Sequence, residues 1–341
     1  MRVLVETHPQ FMRHDTGPHH PERPARLDAV LAGIRNAGVE DALIEVAPEP
    51  ASRAALERVH PAALLDRLEE FCRTGGGAVD ADTQAGSGSW DAAVLAAGAG
   101  LDAIARLDAG EADAAFLAVR PPGHHATSGR PMGFCLINNI AVAAAALADR
   151  GERVLVVDWD AHHGNGTQDV FYDDPRVVYV SMHQWPLYPG TGRLEETGAG
   201  AGLGATVNLP FPPGTTGDAY RAAVDEVIVP LAEDWRPTWV LVSAGFDGHR
   251  ADPLTHLGLT AGDFADLTER ITTLVPAGRR VAFLEGGYDL DALASSSGAC
   301  VAGLAGVTWQ PEPASGAGPG RPVVDAAVAL RAQVAGEQAD N

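Results

Sequence analysis

The feature that most constrains the fold is an alternation of short apolar runs with longer stretches rich in alanine and leucine. The short runs are rich in β-branched residues and lack polar alternation, which indicates strands of a parallel sheet covered on both faces. The predicted strands are residues 3–5, 115–119, 154–157, 177–180, 239–242 and 281–284. The predicted helices are residues 25–37, 89–108, 138–150, 216–235 and 260–275. We therefore expect an α/β fold.

The chain has 341 residues, a length that one open α/β sheet can use in a single domain. We expect that domain to cover residues 1–310. Residues 311–341 read as a linker rich in proline and glycine, followed by a short helix over 323–334 that either docks on the domain or forms a loosely held tail. The glycine-rich stretches 74–89 and 190–217 are too long for plain connections and are predicted to be functional loops.

Charge and composition exclude several classes of protein. The net charge is −21, the opposite sign from that of most nucleic-acid-binding proteins, so no nucleic-acid partner is expected. All 24 basic residues are arginine, which excludes a P-loop lysine and a Schiff-base lysine. The three cysteines are far apart and form no CxxC pair. With no signal-peptide pattern and no membrane-length apolar run, we expect a cytoplasmic protein without a membrane partner.

Four of the predicted strands are followed directly by residues that carry chemistry. In open parallel sheets, ligands bind beyond the carboxyl ends of the strands, so these residues are expected to converge. The four segments are RPPGHHATSG with His124 and His125, DWDAHHGNG with Asp158, Asp160 and His162, FDGHRADP with Asp247, and GGYDL with Tyr288.

Alternation of side chains separates the residues of the second segment, DWDAHHGNG, into two groups. In an extended segment, Asp158, Asp160 and His162 share one side, while His163 points away. A carboxylate and an imidazole on one face are two of the three protein ligands of a catalytic zinc site, and Asp247 is the candidate for the third. The alternative is that the acids only cap the next helix or pair with arginine.

The two adjacent histidines are candidates for the base and the acid that amide hydrolysis needs. Each imidazole then requires a partner on its other nitrogen, and Asp158 and Asn165 are suitable. Tyr288 could donate a hydrogen bond to a developing oxyanion. The alternatives are a simple loop histidine pair and an ordinary buried tyrosine. A GAGLGA stretch lacks the strand and helix of a nucleotide site, and HExxH and GxSxG motifs are absent from the sequence.

Five ordered blocks resemble the histone deacetylase superfamily. They are RPPGHHA, GFCLINN, VDWDAHHGNGTQ, AGFDGHRADP and EGGYDL, and HDTGPHHPERPARL near the start agrees with them. The resemblance covers about residues 2–306 and implies the arginase/deacetylase α/β fold, with a central, mainly parallel sheet and helices on both faces. It is closest to the branch that contains class II deacetylases and to acetylpolyamine amidohydrolases.

The resemblance implies roles for the residues at the strand ends. Catalytic Zn²⁺ would be bound by Asp160, His162 and Asp247. His125 would act as general base and then as acid, with His124 as its electrostatic partner. Tyr288 would polarise the scissile carbonyl, and Asp158 would orient His124.

Asn165 occupies the position that orients the second histidine, where another branch of the family has aspartate. A neutral amide stabilises an imidazolium less than a carboxylate does, so we expect His125 to be less basic than His124.

The resemblance also implies substrate and cation sites. Gly133, Phe134 and Tyr188 match the walls of a narrow channel for an acylated amine, Leu254 lies at its rim, and Arg26 matches an arginine beneath the site. Structural K⁺ or Na⁺ is implied at two places. The residues of the first are Asp158, Asp160, His162, Ser181 and Met182, and those of the second are Phe171, Asp174 and Val177.

Three functions remain open at this stage. The first is a zinc-dependent deacetylase of acetyl-lysine-type substrates, which Leu254 favours because the polyamine-selective relative has a glutamate there. The second is an acetylpolyamine amidohydrolase, for which Asp80 and Asp82 in an entrance loop could bind a second ammonium. The third is a catalytically silent protein that binds acylated ligands. An arginase-like ureohydrolase shares the fold but would need more metal ligands. The sequence does not indicate the oligomeric state.

Overall fold

The computed structural model describes residues 1–339, and its central feature is a sheet of eight parallel strands. The strands, in chain order, are β1 (Val3–Glu6), β2 (Leu43–Val46), β3 (Gly76–Ala78), β4 (Gln84–Gly86), β5 (Ala114–Leu117), β6 (Val154–Asp158), β7 (Val177–Gln184), β8 (Thr206–Phe211), β9 (Trp239–Ala244) and β10 (Arg280–Leu284). β3 and β4 form a separate antiparallel hairpin. The α/β class with a mainly parallel sheet is confirmed.

Helices surround the sheet. They are α1 (Ala25–Asn36), α2 (Arg53–Leu56), α3 (Ala62–Arg73), α4 (Ser89–Asp108), α5 (Asn139–Ala148), α6 (Asn165–Phe171), α7 (Gly217–Ala223), α8 (Val229–Trp235), α9 (Ala261–Thr272), α10 (Leu290–Leu304) and α11 (Arg321–Ala339). α10 packs between α1 and α9, and α4 packs on α5. The helix predicted over 216–235 is α7 and α8 joined by one π-helical turn, Val224–Ile228. Within residues 1–339, none of the helices has both the length and the apolarity needed to cross a bilayer.

The sequence did not predict either edge strand, β2 or β8. β8 lies within the stretch 190–217, so the prediction of a loop there is wrong for the part that forms this strand. β8 pairs only with β7 and contains Pro210, which an edge strand tolerates because it needs fewer backbone donors. β2, at the other edge, carries the exposed Glu45. Polar residues and proline interrupt the apolar run at an edge, so the pattern that reveals the central strands is lost there. The predicted loop 74–89 likewise contains the β3–β4 hairpin.

The segment after residue 310 is in contact with the domain. Glu312 binds His249 through Nε2 at 2.6 Å and Arg250 through Nη2 at 2.6 Å. α11 then packs on β8 and α7, with Val324 and Ala327 buried. Of the two alternatives for the C-terminal helix, docking is the one observed, and the helix is longer than predicted.

The strand order brings the predicted strand ends together. The order across the sheet is β2-β1-β5-β10-β9-β6-β7-β8. The chain therefore leaves a gap of two positions between β5 and β6, which β10 and β9 fill later. These four adjacent strands are the ones followed by chemistry-bearing segments, so all four segments meet at the carboxyl edge in the middle of the sheet.

Candidate metal and catalytic site

Asp160, His162 and Asp247 form a cluster at the ends of β6 and β9. One potential ligand atom from each residue lies within 4.8 Å of the other two. Nδ1 of His162 is 2.8 Å from Oδ2 of Asp247 and 3.2 Å from Oδ1 of Asp160. Both carboxylates are buried, and the His162 side chain is 12% exposed. Two carboxylates and one imidazole, with one side open, are a suitable ligand set for a catalytic divalent zinc ion.

Backbone amides hold the two carboxylates in place. Gly286 donates its N–H to Oδ2 of Asp160 at 2.7 Å, and Ala161 donates to Oδ1 of Asp247 at 2.8 Å. A Cβ atom at position 286 would lie 2.4 Å from Oδ2 of Asp247 and 2.6 Å from Oδ2 of Asp160. Glycine is therefore required after β10 so that the main chain can approach both ligands.

The charges in this cluster depend strongly on one another. Burial opposes a charge on His162, but Asp247 and Asp160 outweigh it and raise the pKa of His162 to about 10. Burial and the charge of Asp160 raise the pKa of Asp247 to about 7. These pKa shifts favour a proton shared between imidazole and carboxylate, and a metal ion bound to the cluster would displace that proton.

His124 is bound to a carboxylate. Its Nδ1 lies 3.0 Å from Oδ2 of Asp158, which also accepts a hydrogen bond from the Tyr179 hydroxyl at 3.0 Å. Burial opposes the charged imidazole, but the carboxylates of Asp158 and Asp160 outweigh it and raise the pKa of His124 to about 10. His124 is therefore a buried imidazolium beside its neighbour, with ring centroids 4.0 Å apart.

His125 is bound to a neutral amide. Its Nδ1 is 2.8 Å from Oδ1 of Asn165, whose Nδ2 lies 3.5 Å from the Met132 sulfur. With Oδ1 as the acceptor, Nδ1 of His125 carries the proton and Nε2 is the basic nitrogen. Burial, then the charges of His124 and His162, hold the pKa of His125 well below its usual value. Their surroundings thus shift the pKa values of the two histidines in opposite directions.

A channel of about 230 Å³ leads from the surface to His125 and His162. The residues that line it are Asp82, His125, Gly133, Phe134, His162, Leu187, Tyr188, Leu254 and Tyr288. Phe134 meets Tyr288 edge to face at 5.8 Å, and Tyr188 meets His125 at 5.2 Å. Phe134 has a φ of 68°, a conformation that non-glycine residues rarely adopt, so the wall is held in a strained backbone.

Tyr288 stands on the channel wall above Arg26. The Tyr288 N–H donates to Asp252 at 2.7 Å, and the Arg26 guanidinium lies 5.1 Å from the tyrosine ring centre. Nε of Arg26 donates to the Gly287 carbonyl at 2.6 Å. Arg26 is fully buried and lies beneath the ring of Tyr288, outside the set of residues that line the channel.

The other predicted residues lie around this centre. His163 points away from the cluster and contacts Thr191 and Gln168, both below 3 Å. Ser181 pairs with Asp158 across β6 and β7, and the next carbonyl, of Met182, accepts a hydrogen bond from Tyr220. The second set of candidate cation residues, Phe171, Asp174 and Val177, lies at the connection of α6 to β7, where the Asp174 carboxylate binds Arg176.

Several residues of the site were missed in the sequence. Glu285 accepts hydrogen bonds from the histidine loop, Tyr179 supports Asp158, Asp252 holds the Tyr288 backbone, and Leu187 lines the channel. A signal existed for Glu285, since it ends an apolar run directly before the paired glycines. Tyr179 lies inside a strand, where alternation gives no hint of a polar contact.

Comparison with known proteins agrees with this geometry. The family model for the histone deacetylase domain matches residues 20–304. A probable deacetylase of Archaeoglobus fulgidus is 40% identical over 88% of this chain and 85% of its own length. A histone deacetylase-like amidohydrolase of Pseudomonas aeruginosa is 39% identical over 79% of this chain and 72% of its own.

A solved structure extends the agreement to the fold. The crystal structure of the HDA15 HD domain superposes with a TM-score of 0.88 at 33% identity, covering 100% of this chain and 99% of that one. Together with the family match over most of the sequence, this likeness establishes that the chain belongs to the histone deacetylase family.

Proposed function

We propose that the chain is a zinc-dependent deacetylase that hydrolyses acetylated amines, with acetyl-lysine-type compounds as its main substrates. One observation carries the proposal: His125, Tyr288 and the histidine of the Asp160, His162 and Asp247 cluster all border one channel. Family membership supports deacetylation as the reaction, since the relatives named above are called deacetylases and an amidohydrolase.

Asp160, His162 and Asp247 would hold the zinc ion, with Asp158 and the backbone amides of Ala161 and Gly286 supporting them. Zinc in such a site supplies a Lewis acid that polarises the substrate carbonyl and acidifies water.

The protein residues perform the proton transfers. His125 accepts a proton from the attacking water at Nε2, because Nδ1 is committed to Asn165. The neighbouring His124 imidazolium opposes a second positive charge on His125, which favours prompt donation of that proton to the leaving amine. Burial holds the pKa of Tyr288 well above its usual value, so its hydroxyl stays protonated and donates to the developing oxyanion.

The channel suits a linear amine. Phe134 and Tyr188 present aromatic surfaces to a methylene stem, and Leu254, 36% exposed at the rim, offers no charge to a second ammonium. These features favour acetyl-lysine over acetylpolyamines. The Asp82 carboxylate on the same channel supports the polyamine alternative, since it offers an acidic group to a second ammonium.

K⁺ or Na⁺ is proposed as a structural ion beside the site. Asp158, the last residue of β6, pairs in register with Ser181 inside β7, so a buried acidic residue is adjacent to the main chain of β7. Oxygen ligands of this kind suit a hard monovalent cation.

A substrate panel tests the proposed function. Zinc-loaded protein would be assayed with an acetyl-lysine peptide, acetylputrescine and acetylspermidine, and kcat/KM compared. Higher kcat/KM for the peptide supports the proposal, and higher values for the acetylpolyamines support the amidohydrolase alternative. If zinc-loaded protein hydrolyses none of the three, the remaining candidate is a silent protein that binds acylated ligands.

Asn165→Asp is expected to shift the pH profile to the alkaline side. His125 acts as a base only when neutral, so activity is lost as pH falls through its pKa. A carboxylate at position 165 would stabilise the imidazolium and raise the pKa of His125, moving the acidic limb of kcat/KM up by about one pH unit. An unchanged acidic limb, or one moved to lower pH, would contradict the role of His125 as the base.

Asp82→Asn is expected to separate the two substrate classes. A partly exposed ion pair is worth up to about 1 kcal/mol, so loss of the charge should raise KM for acetylspermidine about fivefold. The acetyl-lysine peptide, which carries no cation at that point, should change less than about twofold on the same scale. Equal increases in KM for both substrates would show that Asp82 maintains the shape of the channel wall and does not bind a cation of the substrate.

A further inference from the structure

Glu285 directly follows the carboxyl end of β10 and is fully buried, yet no step of the proposed reaction uses it. Its Oε2 atom accepts the N–H of Gly123 at 2.7 Å and that of His124 at 3.2 Å. Its other carboxylate oxygen has no hydrogen-bond partner in the part of the chain that the structure describes. A single oxygen thus binds two successive amides of the loop that carries the histidine pair.

The main chain around Glu285 is fixed from two other sides. Nη2 of Arg26 donates to the Glu285 carbonyl at 2.5 Å, and the following residue, Gly286, donates to Asp160. β10 itself lies between β5, which leads to the histidine loop, and β9, which leads to Asp247. Glu285 therefore joins the strand that supports a metal carboxylate to the loop that supplies the imidazoles.

Asp158 and Asn165 cannot set the position of the histidine loop alone. They bind the ring nitrogens of His124 and His125 and so fix the rotation of each imidazole, while the main chain beneath could still shift. Buried amide groups need acceptors, and the two amides of Gly123 and His124 have theirs in Glu285. A displacement of about 1 Å in a catalytic group can lower a rate about a hundredfold.

From this geometry we propose that Glu285 is a positioning residue for His124 and His125. This role depends on the length of its side chain and not on its charge. This proposal rests on the proposed function, because that function makes His124 and His125 the catalytic histidines.

Two substitutions test the length of the Glu285 side chain and its charge separately. Glu285→Gln keeps an oxygen at the same distance and removes the charge, whereas Glu285→Asp keeps the charge and withdraws the oxygen by one methylene. We expect Glu285→Gln to retain kcat within about fivefold and Glu285→Asp to lose about a hundredfold, with KM and zinc content unchanged in both. Similar losses in the two variants, or the reverse order, would overturn the assignment.

The chain offers a matched control. Glu6 also ends a strand, β1, is fully buried, and has no hydrogen-bond partner for either carboxylate oxygen within the described residues. Glu6→Gln and Glu6→Asp carry the same chemical changes outside the site. Both are expected to leave kcat within about twofold of wild type, because neither oxygen binds the histidine loop.

Hydrogen exchange supplies a readout that does not need activity. The amides of Gly123 and His124 should exchange faster in Glu285→Asp and keep their protection in Glu285→Gln. If the wild-type protein hydrolyses no acetylated amine, the proposed function fails while this exchange pattern still tests the positioning role. Unchanged exchange in Glu285→Asp would overturn that role even in an active enzyme.

Discussion

His162→Ala is expected to abolish zinc binding and, with it, hydrolysis of any acetylated amine. His162 supplies the one imidazole of the cluster, and the variant keeps only the two carboxylates, a set that binds zinc poorly at neutral pH. Metal content after dialysis should fall from one zinc per chain to a small fraction of that, and kcat should fall below detection. A chelator should lower the Tm of the wild-type protein and leave that of the variant unchanged.

His163→Gln is the matched control for this prediction. The neighbouring His163 is more deeply buried than His162 and binds Thr191 and Gln168, away from the cluster. Glutamine preserves a polar side chain there, so zinc content should stay at one per chain. Zinc retained in His162→Ala, or lost in His163→Gln, would show that the ligand has been assigned to the wrong member of the pair.

Tyr288→Phe is expected to lower kcat by about 10² to 10³ while KM and zinc content stay unchanged. The substitution removes a hydroxyl that has no hydrogen-bond partner within residues 1–339, so the folded protein loses no internal contact. The ring that packs against Phe134 and above Arg26 is retained, which keeps the channel wall intact. The loss should therefore fall on the chemical step, measured as kcat with saturating peptide.

Tyr188→Phe provides the comparison for the second tyrosine of the channel. Its ring contacts His125 and His162 from the opposite wall, and phenylalanine keeps that surface. We expect kcat within about threefold of wild type, the size of effect typical when no transition-state contact is removed. If both variants lost activity equally, the Tyr288 hydroxyl would have no special role in oxyanion stabilisation.

The centre of the fold could be predicted from the sequence because its strands are buried on both faces. Six central strands and the four segments after β5, β6, β9 and β10 follow from continuous apolar runs and their polar ends. Edge strands β2 and β8 could not be found in this way, since a strand that pairs on one side permits Glu45 and Pro210.

The hydrogen-bond partners within the site were harder to predict from the sequence than the candidate metal ligands. Asp160 and His162 are two residues apart, so alternation places them together, whereas Glu285 meets Gly123 across 162 positions of chain. Contacts of that kind depend on strand order, which local patterns do not contain. Arg26 illustrates the limit: a resemblance indicates that it lies near the site, and only the packing shows that it supports Tyr288 from below.

The order of strands also determines when the site can first exist during synthesis. β5 and β6 carry His124, His125, Asp160 and His162, but the two positions between these strands stay empty until β9 and β10 have been made. A nascent chain that ends before Trp239 therefore exposes two unpaired strand edges and only part of the proposed metal site. Because pairing across such long separations is slow, we expect that intermediate to be prone to aggregation until β9 and β10 have been made.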